Sequence, residues 1–307
     1  SPPVPHSGGR PPPRKWEAIE EAAEYPESIR GRAKACSSML MAEAVAMGPE
    51  AFRRHADGPV LLRNASDGWK LMEWSDELLT EQVGDAPMRM LIMPADVHPT
   101  IDAERRALVE PAASNVFFAD YLKLLDRLLT TEEFAVYVAQ LNLLRLPALL
   151  AKVCPPSALP ADRLSMVNLW VGGHSMKNGL HFDNYDNLLH QISGHKKALI
   201  FPPDDMRHLY YGPTPIRRHT FSLIEGFAND TVHETTRQNV ALINVFDEDV
   251  ATRHPALAEA SPSICDLGRR TLTLVLTPMP TSPLISVCAE ASLERSPISD
   301  SLTHRRS

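Results

Sequence analysis

Proline placement sets the first limit on what this chain can fold into. Its 307 residues include 27 prolines, well above the usual share of about 5%. Each proline excludes a helix interior and removes a hydrogen bond from a central strand. The prolines are not spread evenly. Six lie within residues 1–13 and four between Pro278 and Pro297, which leaves the middle of the chain to form regular structure. The first stretch cannot bury enough apolar surface to offset the entropy lost on ordering it. Residues 277–307 are Ser/Pro-rich and read without apolar periodicity. The expected organisation is a disordered proline-rich leader over 1–15 and a helical segment over 16–52. A main domain over 53–276 and a disordered tail over 277–307 complete it.

Between these ends the spacing of apolar residues predicts the elements. Helices are expected over Ile29–Met47, Trp69–Gln82 (with Ser75 as a cap), Asp120–Leu129 and Leu146–Val153, and a short one over Pro255–Ala260. Strands are expected at Val60–Arg63, Met88–Met93, Asn115–Phe118 and Phe134–Val138. From Met166 onward strands dominate: Met166–Val171, one or two within His181–Ser193, and Lys197–Phe201, which Pro202-Pro203 stops. Val240–Phe246 and Thr271–Leu276 follow, separated from the earlier strands by a polar stretch over 204–240. No internal repeat is evident.

Charge and cysteine usage narrow the function class. Lys plus Arg number 31 against 38 Asp plus Glu, a formal charge of −7. That balance argues against bulk electrostatic binding of nucleic acid or of an anionic membrane surface. The longest apolar run, Leu141–Val153, is interrupted by Asn142, Arg145, Pro147 and Lys152 and is too short to span a bilayer. Cys36, Cys154, Cys265 and Cys288 are scattered, with no C-x-x-C. The spacing predicts neither a disulfide scaffold nor a structural zinc site, and favours a reducing, intracellular setting in cytoplasm or nucleus.

The segment from Asn168 to Pro203 carries the chemistry. His181 and Asp183 stand two apart on a strand-like run, so both side chains leave the same face. An imidazole and a carboxylate on one face make two thirds of the facial triad of non-haem Fe(II) oxygenases, which leaves metal positions open for cosubstrate and O₂. Gly194-His195 between two apolar strands suits a tight hairpin, expected to place Lys196 on a strand antiparallel to the His/Asp run. A lysine there could pair with a dicarboxylate such as 2-oxoglutarate. Taken alone, a His-x-Asp triplet arises often by chance, and most lysines are solvated surface charges.

The wider pattern is more specific. Asn168-Leu169-Trp170, Leu180-His181-Phe182-Asp183, Asp186-Asn187-Leu188-Leu189, Gln191-Ile192, Gly194 and Lys196 occur in order, before a strand ending in Pro202-Pro203. This segment resembles the cupin-like branch of the JmjC family of Fe(II)- and 2-oxoglutarate-dependent dioxygenases. Gly58–Arg63 with Trp69 and Trp74, Phe118–Leu122, Tyr137–Gln140 and Val245–Leu257 extend the likeness over about residues 53–268. The resemblance implies a mainly β fold with N-terminal helices, a double-stranded β-helix (jelly-roll, cupin/JmjC-like). It implies His181 and Asp183 as ligands of Fe(II), with 2-oxoglutarate as cosubstrate. It also implies Lys196 as the partner of the distal carboxylate, and Tyr137, Asn178 and Asn187 as polar contacts. No catalytic residue is expected beyond these metal and cosubstrate residues. Trp74 and Trp170 are read as core, and His174, His190 and His195 as incidental or as supports behind the ligands. The substrate class it implies is a protein side chain or a tRNA base, with no membrane partner, and a homodimer is compatible with it.

The likeness stops at Gly268. The family's third iron ligand is a distal His in a G-D-x-L-[YF]-x-P-x-x-W-x-H motif, whereas here Cys265-Asp266-Leu267-Gly268 leads into Arg269-Arg270-Thr271 and no Trp-x-His follows. Three readings stay open at this point: a reading frame that departs from the family near Gly268, a two-ligand pseudo-oxygenase, or another His in the third place.

Overall fold

The computed structural model describes residues 25–55, 58–67, 69–70, 75–94, 101–102, 107–128, 134–153, 164–172, 177–183, 186–211, 217–222, 226–227, 239–268, 271–275 and 285–292. Near the start, α1 (Glu27–Arg30) is followed by β1 (Lys34–Ala35), β2 (Ser37–Leu40), α2 (Met41–Met47) and α3 (Pro49–His55). The helix expected across Ile29–Met47 is therefore interrupted by two strands. The amides of Lys34 and Cys36 donate to the carbonyls of Pro262 and Ile264. β2 pairs in parallel with β3 (Val60–Arg63). Ladder partners from distant parts of the chain outweigh a weak local preference for helix.

α4 (Asp76–Val83) begins where Ser75 Oγ accepts from the Leu78 amide at 3.3 Å, the expected cap. β4 (Pro87–Pro94), β5 (Ile101–Asp102), β6 (Ala107–Glu110) and β7 (Ala112–Phe117) precede α5 (Phe118–Leu128). β8 (Phe134–Asn142), α6 (Pro147–Leu150), β9 (Leu164–Gly172), β10 (Asp186–Ser193) and β11 (Lys196–Ile200) follow. β12 (Arg217–Ser222), β13 (Gly226–Phe227), α7 (Val250–Arg253), β14 (Ser263–Leu267), β15 (Thr271–Val275) and β16 (Ile285–Ser292) complete the order.

These strands form a nine-stranded sheet (β2-β3-β15-β10-β16-β9-β8-β4-β7), a three-stranded sheet (β1-β14-β11) and a four-stranded sheet (β13-β12-β6-β5). The result is a mainly β, jelly-roll fold with helices packed at its N-terminal side, as the sequence predicts. Period-two alternation builds the larger core. Val60 and Leu62, Met88, Met90 and Ile92, Val136 and Val138, and Val167, Leu169 and Val171 turn inward against Phe52, Leu79, Phe118 and Leu125 of the helices. A second core joins Tyr25, Ile29, Leu209, Ile243, Val245, Val250 and Leu257, with Leu199, Phe201 and Ile264 packed on it. Full burial of one such aliphatic or aromatic side chain contributes roughly 1.5–3 kcal/mol.

Four expectations need correction. β10 and β11 are joined by Gly194-His195, but they do not pair. β10 lies between β15 and β16, and β11 pairs with β14 in the other sheet. Gly194, at φ 77°, turns a corner between sheets, a backbone conformation that costs glycine little. Val240–Phe246 is not a strand: only Val240 and Ala241 make isolated bridges, to His181 and Tyr211, and turns follow. Residues 277–307, expected to lack structure, contribute β16, where Ile285, Val287, Ala289 and Ala291 alternate with Ser286, Cys288, Glu290 and Ser292. That short period-two run fills the gap between β9 and β10, whose facing backbone groups need partners. Finally, Cys36 and Cys265 form a disulfide between residues 229 apart, with Cα atoms separated by 5.1 Å. Spacing along a sequence cannot reveal a pairing that the fold creates. Among the described residues no helix is long and apolar enough to cross a membrane.

Candidate metal and cosubstrate site

The strand that carries His181 is short and held from one side. The Ala241 amide donates to the Leu180 carbonyl at 2.8 Å and the Phe182 amide to the Asn239 carbonyl at 3.0 Å. Asn239 Nδ2 also donates to the Phe182 carbonyl at 2.9 Å. This fixes the alternation. Phe182 turns to Tyr211, with ring centroids 5.4 Å apart, and alternation along an extended segment would send His181 and Asp183 to the opposite face. Both are exposed. The clamp by Asn239–Ala241 was missed by sequence reasoning. It lies at the end of a polar stretch, 57 residues along the chain from Phe182, and nothing local marks it.

Each of the two side chains is oriented by a neighbour. His181 Nδ1 lies 2.7 Å from the Gly179 carbonyl. A carbonyl only accepts, so Nδ1 carries the proton in this bond and Nε2 is left as the ring nitrogen able to ligate. Asn187 Nδ2 donates to Asp183 Oδ2 at 2.8 Å, which brings two of the predicted site residues together. Asn187 stands near the start of β10, and its pairing with Val275 of β15 holds it there.

Lys196 opens β11 and faces Leu267 of β14 in register. Leu199 and Phe201 pack on the second core. Alternation therefore sends Lys196, with Ala198 and Ile200, to the other face of β11. Lys196 thus stands on a different sheet from Asn187, not on the paired hairpin strand that the sequence suggests. Beside it, His195 Nε2 contacts a carboxylate oxygen of Asp266. Tyr137, on β8, is buried and stacks on Trp170 with centroids 5.6 Å apart. Trp170, read as core, keeps a buried indole N–H without a hydrogen-bond partner among the described residues. Asn178 is exposed in the coil before His181.

A nitrogen and a carboxylate oxygen on one face suit Fe(II). Among the described residues the donor set nevertheless stops at two. Among the described residues no three His, Cys, Asp or Glu side chains come together as a group able to hold a metal ion. Four of the other described histidines are engaged elsewhere. His190 is fully buried against Trp69, with centroids 4.4 Å apart, and burial lowers its pKa to about 4. His195 contacts Asp266, His208 accepts from Arg207 and His254 meets the ring of Tyr210. His6, His98, His174, His233 and His304 lie outside the described residues. The described residues therefore do not complete an iron site.

Comparison with known proteins agrees with the fold. A family model for the cupin-like domain matches residues 50–269. The human bifunctional peptidase and (3S)-lysyl hydroxylase JMJD7 is 26% identical over 219 residues, 67% of this chain and 67% of that protein. Two Arabidopsis thaliana proteins match shorter stretches. The lysine-specific demethylase JMJ31 is 33% identical over 89 residues, 26% of this chain and 16% of that protein. The lysine-specific demethylase JMJ32 is 36% identical over 55 residues, 18% of this chain and 16% of that protein. The chain thus spans two thirds of the human relative and a small part of the plant ones. With this fold, this His-x-Asp face and a family match over most of its length, the chain belongs to the cupin-like domain family, JmjC-type, whose general kind is the 2-oxoglutarate-dependent oxygenase.

Proposed function

We propose that this chain is an Fe(II)- and 2-oxoglutarate-dependent oxygenase of the JmjC hydroxylase type that hydroxylates a protein side chain or an RNA base. His181 and Asp183 ligate iron in this reading, and Lys196 pairs with the distal carboxylate of 2-oxoglutarate. Tyr137, Asn178 and Asn187 are polar contacts. The observation that carries it is the pair His181 and Asp183, each oriented by a hydrogen bond: His181 donates to the Gly179 carbonyl, and Asp183 accepts from Asn187. Such partners fix ligand orientation and commonly change metal affinity about 10–100-fold. Hydroxylation is favoured over demethylation because the hydroxylase relative aligns over 219 residues and the demethylases over 89 and 55.

A second reading rests on the incomplete donor set. With two protein ligands the chain would be a catalytically impaired pseudo-oxygenase that keeps the pocket for binding, since ligand number governs metal affinity and geometry. Succinate release separates the two. The full chain is incubated with Fe(II), 2-oxoglutarate and ascorbate, and turnover that disappears in His181→Ala is expected. A folded protein that releases no succinate would overturn the oxygenase reading in favour of the pseudo-oxygenase. Turnover that survives His181→Ala would overturn the ligand assignment.

A further inference from the structure

The N-terminal segment is fastened to the small sheet that carries Lys196. The Tyr25 hydroxyl donates to the Lys197 carbonyl at 3.2 Å. Arg32 Nη1 donates to the carbonyls of Leu257 and Ala258 at 3.0 Å, and to that of Ala260 at 3.2 Å. β1 adds only two residues of parallel pairing, Lys34 with Ser263 and Ala35 with Ile264. The covalent tie comes next, between Cys36 and Cys265. Cys265 is fully buried and Cys36 half-buried beside a two-residue edge strand. On β14, Cys265 faces Ala198, and the next two positions face Lys197 and Lys196.

We propose that Cys36 and Cys265 are a reversible thiol–disulfide site whose oxidation clasps the N-terminal segment onto β14 and stiffens the strand that begins at Lys196. The oxidant is a low-molecular-weight disulfide of the glutathione class. The Cys36 thiolate attacks one of its sulfurs and releases one small thiol. The Cys265 thiolate then attacks the Cys36 sulfur of the mixed disulfide and releases the second. Two electrons pass from the protein thiols to the small disulfide, and the two thiol protons end on the two small thiols. The half-buried Cys36 is the sulfur a small thiol can reach on the way back. Opening the bond leaves β1 on its short ladder and the Tyr25 and Arg32 contacts.

The consequence for cosubstrate binding rests on the reading that Lys196 holds 2-oxoglutarate, so the test separates the two. The full chain is equilibrated in reduced and in oxidised glutathione buffers, and the cysteine state is mapped on unreduced peptides. Amide exchange over 196–200 and 263–267 and the melting temperature are then measured. Oxidation is expected to form the Cys36–Cys265 bond and to raise Tm by roughly 10 °C, as closing a long loop in a domain of this size should. Exchange in both strands is expected to slow about tenfold. Cys36→Ser, at a half-buried edge position, is expected to fold and to lose both responses. Free Cys36 and Cys265 in the oxidised buffer would overturn the proposal. So would a bond that forms without slowing exchange over 196–200. Titration with 2-oxoglutarate is expected to show binding on the order of threefold to tenfold tighter in the oxidised form. Absence of binding in both forms counts against the Lys196 reading, while the exchange data still decide for or against the clasp.

Discussion

The side-chain amide of Asn187 donates to a carboxylate oxygen of Asp183 at 2.8 Å, tying the start of β10 to the exposed end of the His181 segment. The bond decides which way the carboxylate points. It also couples the longest sheet to a segment that belongs to none of the three, held by its bridge to Val240.

Replacing Asn187 by Ala removes that restraint with little effect on stability, since the partner oxygen is exposed and water can replace the amide. With Mn(II) as the probe, the dissociation constant is expected to rise about 10-fold or more, with the circular dichroism spectrum and Tm nearly unchanged. A metal affinity equal to that of the unsubstituted chain would show that the Asn187–Asp183 bond orients no ligand.

Lys196→Ala tests the cosubstrate assignment separately from the metal. A buried or half-buried charge pair with a carboxylate is commonly worth several kcal/mol. The KM for 2-oxoglutarate in succinate release should therefore rise by about 100-fold, with Mn(II) affinity unchanged. Lys196→Arg should recover part of the loss by keeping the charge. A KM that does not move in Lys196→Ala would remove the lysine from the site.

His190 gives the fold a pH dependence. Its ring is fully buried and neither nitrogen has a hydrogen-bond partner among the described residues. Burial lowers its pKa from the ordinary 6.5 to about 4. In the unfolded chain the imidazole takes up a proton near pH 6.5, whereas the folded chain does not until about pH 4. Stability is therefore fully present above the unfolded pKa and is lost as pH falls from about 6.5 to about 4, by on the order of 3 kcal/mol. His190→Leu should flatten Tm across that interval and stabilise the protein at pH 5. An unchanged slope in the variant would assign the acid sensitivity to other groups.

Tyr121 pins α5 to the sheet. Its hydroxyl donates to the Val171 carbonyl at 2.7 Å in a fully buried setting. Tyr121→Phe keeps the ring and leaves that carbonyl with one partner fewer, which should cost about 1–2 kcal/mol in urea unfolding. A cost below a few tenths would mean that the carbonyl is satisfied within the sheet.

Ser75→Ala tests a cap that the sequence identifies directly. The Leu78 amide loses its acceptor, and α4 is expected to lose about 1 kcal/mol of stabilisation. Ser75→Asp should restore it, because a carboxylate accepts the same bond and suits a helix N-terminus.

Much of this protein is local and was therefore legible. Alternation in Met88–Met93 and Met166–Val171 reports a buried face because a strand repeats every two residues. Ser75 announces a helix start because the cap is a bond across three residues. The shared face of His181 and Asp183 follows from their spacing alone, as does the stop at Pro202-Pro203, which ends β11 at Ile200. Pairings between distant parts of the chain carry no such mark. The N-terminal residues became strands because Pro262, Ile264 and β3 supplied backbone partners. Lys196 changed sheets because β14, not β10, offered a free edge. Cys36 met Cys265 only once β1 lay beside β14. Local geometry determines which residue types share a face; which faces meet depends on where unpaired backbone and apolar surface find partners, and that is settled by tertiary structure.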